Sequence, residues 1–277
     1  ARARHRSSAI HTRDDTMHSP LTVTIEELPA GAAPPADALA VMRFDGDAGH
    51  PAEPRIFATG LTAIDRPAPA EVWRTRDRIA TGFDDGIAWA STGSHLFGSL
   101  LLDEEQHCDF ASLTMTAYRT ILGFLHDIDR PVILRAWNYF PHIHKRHGGL
   151  DRYQSFCIGR HSAFTAAGYR EELLPAATLV GNDAPGLRIA FLAAREPGIQ
   201  IENPRQVSAF HYPQEHGPQS PSFSRATMKD GQLFVSGTAS IVGHESVHAG
   251  DVIAQTDEII ANLEAVLAAA GDEAADR

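Results

Sequence analysis

Three arginines stand where arginine is physically awkward. Arg160 falls in the middle of an otherwise apolar helical stripe, Arg205 opens the run RQVSAFHY, and Arg225 lies inside SFSRATM. Both of these runs are expected to be strands. An unpaired buried guanidinium is costly, and its planar fork suits bidentate binding of a carboxylate. The competing reading is an arginine paired with a nearby Asp or Glu, or exposed at an edge. Tyr212 alternates with Phe210 and Ser208 on one expected strand face, opposite His211, Ala209 and Val207, and Trp137 and Tyr139 share a face of theirs. Aromatics so placed either fill a core or stack on a cyclic ligand.

Other residues offer chemistry at poorer spacing. His142, His144 and His147 in PHIHKRH could share a metal ion, but Lys145 and Arg146 oppose a cation there, and no carboxylate sits at a ligand spacing. A solvated loop is the better account, and no metal site is assigned. SGTASIVGHES lacks both GxxxxGK[ST] and GxSxG. It reads as a strand end turned by Gly237 and Gly243 close to a neighbouring backbone. His244 and Glu245 are adjacent and so face different ways. Cys108 and Cys157 match no metal or redox spacing and fall in apolar, helix-like runs, so both are expected to be buried reduced thiols.

These side chains need elements to hold them. LTVTIEEL, ALAVMRF, RIFATG, RIATGF, GIAWAST and LFGSLLL are short β-rich runs separated by Pro, Gly and Asp clusters. Asp109 caps a helix reaching Asp127, with Phe110, Leu113, Ala117, Ile121 and Leu125 on its core face. PVILRAWNYF is a strand. A second helix runs from Asp151 to Ala167 with Tyr153, Phe156, Cys157, Arg160 and Phe164 near one face and Gly168 as its stop. ATLVGN and LRIAFLAAR add strands. A β-β unit with a Lys229-Asp230-Gly231 turn then leads to a helix from about Asp251 to Gly271, whose stripe is Val252, Ile253, Ile259, Ile260, Leu263, Val266 and Leu267. The fold class is therefore α+β, helices packed on largely antiparallel sheet, and the order strands, helix, strand occurs twice.

The 277 residues suffice for one large or two ordinary domains. A net charge of −11 with histidine neutral argues against a nucleic-acid partner. No apolar run approaches the roughly 20 residues needed to span a bilayer, so no membrane association is expected and the cytosol is the expected compartment. Residues 1–18 carry no periodicity and are set aside as a disordered or non-native extension.

The stretch SRATMKDGQLFVSGTASI with GDVIAQTDEIIANLEAVL resembles the RidA/YjgF-like fold. WNYFPHI, RYQSFCIGR, REPGIQIENPRQVSAFHYP and SGTASIVGHESVHAGD resemble something narrower, the chorismatases. The resemblance covers roughly Ser19 to Gly271. It implies two RidA/YjgF-like halves, an N-terminal domain at 19–175 and a C-terminal one at 176–277. It implies hydrolysis of chorismate with loss of pyruvate, without metal or organic cofactor, by a monomer or a trimer. The products would be 3- or 4-hydroxybenzoate or a dihydroxycyclohexadiene carboxylate. Arg205 and Arg225 are then expected to anchor substrate carboxylates, with Tyr212 and Arg160 making ring-side or supporting contacts. In the resembled family a further strand, a helix and a closing strand with the acidic Glu follow the last helix. This chain ends at Arg277, so its C-terminal half is expected to be incomplete and the catalytic acid to lie beyond it.

Overall fold

A computed structural model describes residues 21–46, 52–64 and 68–275. The expectation for residues 1–18 lies outside them. The chain opens with β1 (Thr22–Glu27), β2 (Ala38–Arg43), β3 (Ile56–Ala58) and β4 (Pro69–Arg74), a sheet ordered β1-β4-β2-β3. Next come β5 (Ala80–Asp84), β6 (Ile87–Ser91), β7 (His95–Leu102), α1 (Phe110–Asp127) and β8 (Val132–Pro141). A short hairpin of β9 (Arg146–His147) and β10 (Leu150–Asp151) leads into α2 (Arg152–Ala166), β11 (Ala176–Asn182) and β12 (Leu187–Ala194). The long strands form one sheet ordered β11-β8-β12-β7-β6-β5. β13 (Ile199–Ile201), β14 (Ala226–Lys229) and β15 (Gln232–Val235) make a third sheet. The hairpin of β16 (Ile241–Val242) and β17 (Glu245–Ser246) then precedes α3 (Val252–Ala275). Pairing is antiparallel except for β2 with β3 and β8 with β11.

The expected α+β class is the observed one, and local signals explain most elements. Asp109 caps α1 by accepting from the Ser112 amide, and the expected stripe of α1 is buried. Asp151 and Gln154 close a capping box at the start of α2, and Gly168 ends that helix at φ 68°. Asp230 and Gly231, both at positive φ, make the turn between β14 and β15.

The inner strands β8, β12, β7 and β6 of the six-stranded sheet are buried on both faces, while the edge strand β5 is mostly exposed. Along β12, Leu187, Ile189, Phe191 and Ala193 pack toward α1 and α2, while Ala190, Leu192 and Ala194 pack toward the first sheet. Such a strand reads as one continuous apolar run. α1 and α2 approach closely at Gly159, where an added Cβ would lie 2.2 Å from the Ala111 carbonyl oxygen. The expected boundary at 175/176 falls just before β11, and β11 and β12 complete the six-stranded sheet.

Three expectations need correction. RQVSAFHY is no strand: Arg205 lies in a turn and Ala209–His211 form a 3-10 turn. The segment's backbone bonds go to the β16–β17 hairpin instead, Val207 N–H to Gly243 O (2.8 Å) and Gly243 N–H to Arg205 O (2.9 Å). Tyr212 therefore does not share a strand face with Phe210 and Ser208. Cys108 is exposed, because it precedes the α1 cap rather than lying in a helix, whereas Cys157 is buried. The apolar stripe of α3 is only partly covered: Val266 is buried, but Val252, Ile253, Ile260 and Leu267 are exposed, since the helix packs on the short β13–β15 sheet.

Candidate functional site

A cavity of about 320 Å³ lies where the six-stranded sheet meets the C-terminal segment. β11 supplies one wall, Ala177 to Val180, and α2 supplies Tyr153, Phe156, Cys157 and Arg160. The opposite wall is Tyr212, the stretch Pro221–Phe223 with Arg225, and Gly237–Ala239 after β15. Backbone bonds fix this seam. The Ser224 amide donates to Pro175 O (3.0 Å), the Gly237 amide to Ala177 O (3.1 Å), and the Ala177 amide to Ser236 Oγ (2.7 Å). A Cβ at Gly237 would press on Thr178 at 3.3 Å, which is why a small residue suits that wall.

Arg160 projects from α2 among aromatic rings. Its guanidinium carbon lies 4.9 Å from the Tyr118 ring centre, 5.2 Å from Phe164 and 6.0 Å from Phe156. Phe156 and Phe164 are four residues either side of it, so helical periodicity builds the cage. Arg160 is buried, yet its Nε and Nη2 have no hydrogen-bond partner. Ring faces attract the charge but leave these two nitrogens without an acceptor, in a residue that lines the cavity.

Arg225, expected inside a strand, lies instead immediately before β14, and its amide donates to Glu202 Oε1 (3.0 Å). Its Nη2 donates to Val207 O and to Tyr212 Oη, each at 2.8 Å, and its Nε has no partner. Tyr212 thereby lines the cavity with its phenol oriented by the arginine. Arg205 does not line this cavity. Its Nη2 donates to Glu258 Oε1 (2.6 Å) and its Nη1 to Asn262 Oδ1 (3.0 Å), both on α3. Burial works to raise the Glu258 carboxyl, but hydrogen bonds from His248 and Arg205 hold it below the usual range.

The other ionisable groups on the walls are neutral ones. Burial pushes the Cys157 thiol up to about 12, which leaves it protonated and poorly nucleophilic at neutral pH. Burial also raises the Tyr153 phenol well above its ordinary value. Thr238 Oγ is a buried hydroxyl without a partner. No carboxylic acid lines the cavity among the described residues. The histidines of PHIHKRH are exposed, His142 and His144 before β9 and His147 within it, and none lines this cavity.

Reasoning from sequence passed over Glu202, Thr238, Glu215 and His216. Glu202 stands in the string ENPRQVSA, but nothing in its spacing announces a bond to the Arg225 amide, which is 23 residues away. His216 lies in PQEHGP, and only the fold brings it to His244.

Two buried arginines with orphaned N–H groups line a largely apolar cavity edged by tyrosines, an arrangement able to accept a small carboxylate. Comparison with known proteins identifies the family. Residues 71–193 match the family model for the N-terminal part of FkbO/Hyg5-like chorismatases. A chorismatase of Streptomyces hygroscopicus is 38% identical over 218 residues, which cover 76% of this chain and 63% of that one. A 3-hydroxybenzoate synthase of the same species is 36% identical over 208 residues, 72% of this chain and 61% of that one. The crystal structure of a chorismatase superposes with a TM-score of 0.78 at 32% identity, covering 91% of this chain and 78% of that one. The chain belongs to the chorismatase family. It spans a little over three fifths of the length of the curated relatives it matches.

Proposed function

We propose that the protein hydrolyses chorismate, releasing pyruvate and a hydroxybenzoate (3-, 4- or both) or a dihydroxycyclohexadiene carboxylate. The observation that carries this reading is the pair Arg160 and Arg225 on one cavity, each with N–H groups that no protein atom accepts. Chorismate carries two carboxylates on and beside a ring, and two desolvated guanidinium groups would hold one each, Arg160 through Nε and Nη2 and Arg225 through Nε. Tyr212, bonded to Arg225, would then lie against the ring side. Arg205 is placed at one remove, tying the 203–207 turn to α3 rather than touching substrate.

The reaction requires a proton at the enol-ether methylene, after which water or a ring hydroxyl traps the oxocarbenium. Fixed positive charge beside the departing pyruvyl carboxylate holds the substrate but does not supply that proton. The cavity walls carry no carboxylic acid among the described residues. Neither a metal nor an organic cofactor is part of this chemistry. The two halves are proposed to be residues 19–175 and 176–277, meeting just before β11. No described helix is long and apolar enough to cross a membrane, and the proposed compartment is the cytoplasm. Assembly as a monomer or a trimer is decided by sedimentation.

Incubation with chorismate and assay of pyruvate and aromatic products tests the proposal. Release of no pyruvate would overturn it. The lack of a carboxylic acid on the walls among the described residues favours one other reading, a small-carboxylate-binding protein that does not turn its ligand over. Chorismate binding by calorimetry without turnover would establish it.

A further inference from the structure

Outside the cavity, three ligand-type atoms converge at its rim. Glu215 and His216 lie in the 3-10 turn Gln214–His216, and His244 lies at the β16–β17 hairpin. His216 Nε2 is 3.0 Å from His244 Nδ1. Glu215 Oε1 is 3.4 Å from that same Nδ1 and 3.7 Å from that same Nε2. The atoms thus form a scalene triangle with sides of 3.0, 3.4 and 3.7 Å.

Only the His216–His244 contact has hydrogen-bond length, and the two contacts from Glu215 Oε1 are longer. A carboxylate oxygen and two imidazole nitrogens are all ligand atoms of divalent transition metals, and a cation at the centre lets all three point lone pairs at it. The size is right as well. A tetrahedral zinc ion with bonds of about 2.0–2.1 Å separates its ligand atoms by roughly 3.3–3.4 Å, the middle of the observed range.

We propose that Glu215, His216 and His244 bind a divalent transition-metal ion, zinc by preference, with the fourth position open to solvent. The ion would join the 214–216 turn to the 243–244 turn, two segments that share no backbone hydrogen bond. It would also fix the cavity rim, since the Tyr212 ring packs 5.4 Å from His216 and 6.4 Å from His244 by ring centres. Its role is to brace the rim, outside the carboxylate-binding chemistry, and it stands independently of the substrate assignment.

Calorimetric titration of the chelator-treated chain with zinc is expected to show one saturable site per chain. Cobalt is expected to give the intense visible bands of a four-coordinate ion. His216→Ala and His244→Ala should each weaken zinc at least tenfold, and Glu215→Gln should weaken it measurably. His144→Ala, on the exposed loop, should leave the affinity unchanged, with circular dichroism showing each variant folded. Absence of saturable binding to the folded chain would overturn the proposal. Undiminished binding in the His216→Ala, His244→Ala double variant would overturn it equally.

Discussion

Arg160 and Arg225 differ from Arg205 in what occupies their forks, and that difference is measurable. Arg160→Ala or Arg225→Ala is expected to weaken chorismate binding by about 1.5–3 kcal/mol, the cost of a lost charge-assisted bond. Arg205→Ala is expected to leave the dissociation constant within about twofold and to lower the melting temperature instead, because Glu258 and Asn262 lose their partner. Equal loss of affinity in all three variants would refute this division. The two cysteines give a second check. Cys108 is exposed, and Cys157 is buried with its thiol pushed up to about 12. One equivalent of thiol should therefore react with a disulfide reagent at neutral pH in the native chain, and two after denaturation. The sequence marked all three arginines as awkward by the same reasoning, that a guanidinium among apolar neighbours needs a partner. It could not say which partner each finds. Arg205 meets a carboxylate 53 residues away, a contact set by where α3 docks.

At the scale of elements, α2 carries the site and depends on two local features. Asp151 accepts from the Gln154 amide at 2.7 Å, and Gln154 Oε1 accepts from the Asp151 amide at 3.0 Å. Asp151→Ala should destabilise the fold by about 1 kcal/mol in urea denaturation. Gly159→Ala is the sharper test. Helix propensity alone favours alanine by up to about 1 kcal/mol, but the close contact with Ala111 O demands that α1 and α2 separate. We expect a net loss of about 1–3 kcal/mol, with Arg160 displaced and chorismate binding weakened. At α1, bonds from the Ser112 amide and hydroxyl hold the Asp109 carboxyl below its ordinary value. Its contribution is therefore complete above the ordinary carboxylate value and is lost as pH falls through the lowered one. Asp109→Asn should flatten that part of the acid-unfolding curve.

Most helices and strands were legible because caps, turn residues and apolar periodicity act over a few residues. RQVSAFHY was not. Its alternation imitates a strand, but no strand of comparable length lies beside it, and its bonds go to a two-residue hairpin. β4, by contrast, is a full strand whose PAEVWR run stood out poorly among Pro and Glu.

For the molecule as a whole, the first sheet and the six-stranded sheet are joined by polar bonds as well as by the Trp73–Trp137 contact. Asn182 Nδ2 donates to Thr59 O at 2.8 Å, well inside the structure. Asn182→Ala leaves that carbonyl without its donor and should cost about 1–3 kcal/mol, read as a lower urea midpoint. Chorismate at a hundredfold excess over its dissociation constant should stabilise the chain by about 2.7 kcal/mol, and at the same concentration this gain should shrink to about 0.3–1.3 kcal/mol in the Arg225→Ala variant. Residue types and short-range patterns alone established the α+β class, the boundaries of α1 and α2, the family strings and the arginines worth questioning. Those properties depend on caps, turns and periodicity, which are local in the chain. Folding alone put Arg160, Tyr212 and Arg225 on one cavity, sent Arg205 to α3, and brought Glu215 and His216 against His244. These are contacts between distant segments, fixed by which sheet faces and helix stripes bury one another, and no spacing along the chain encodes them.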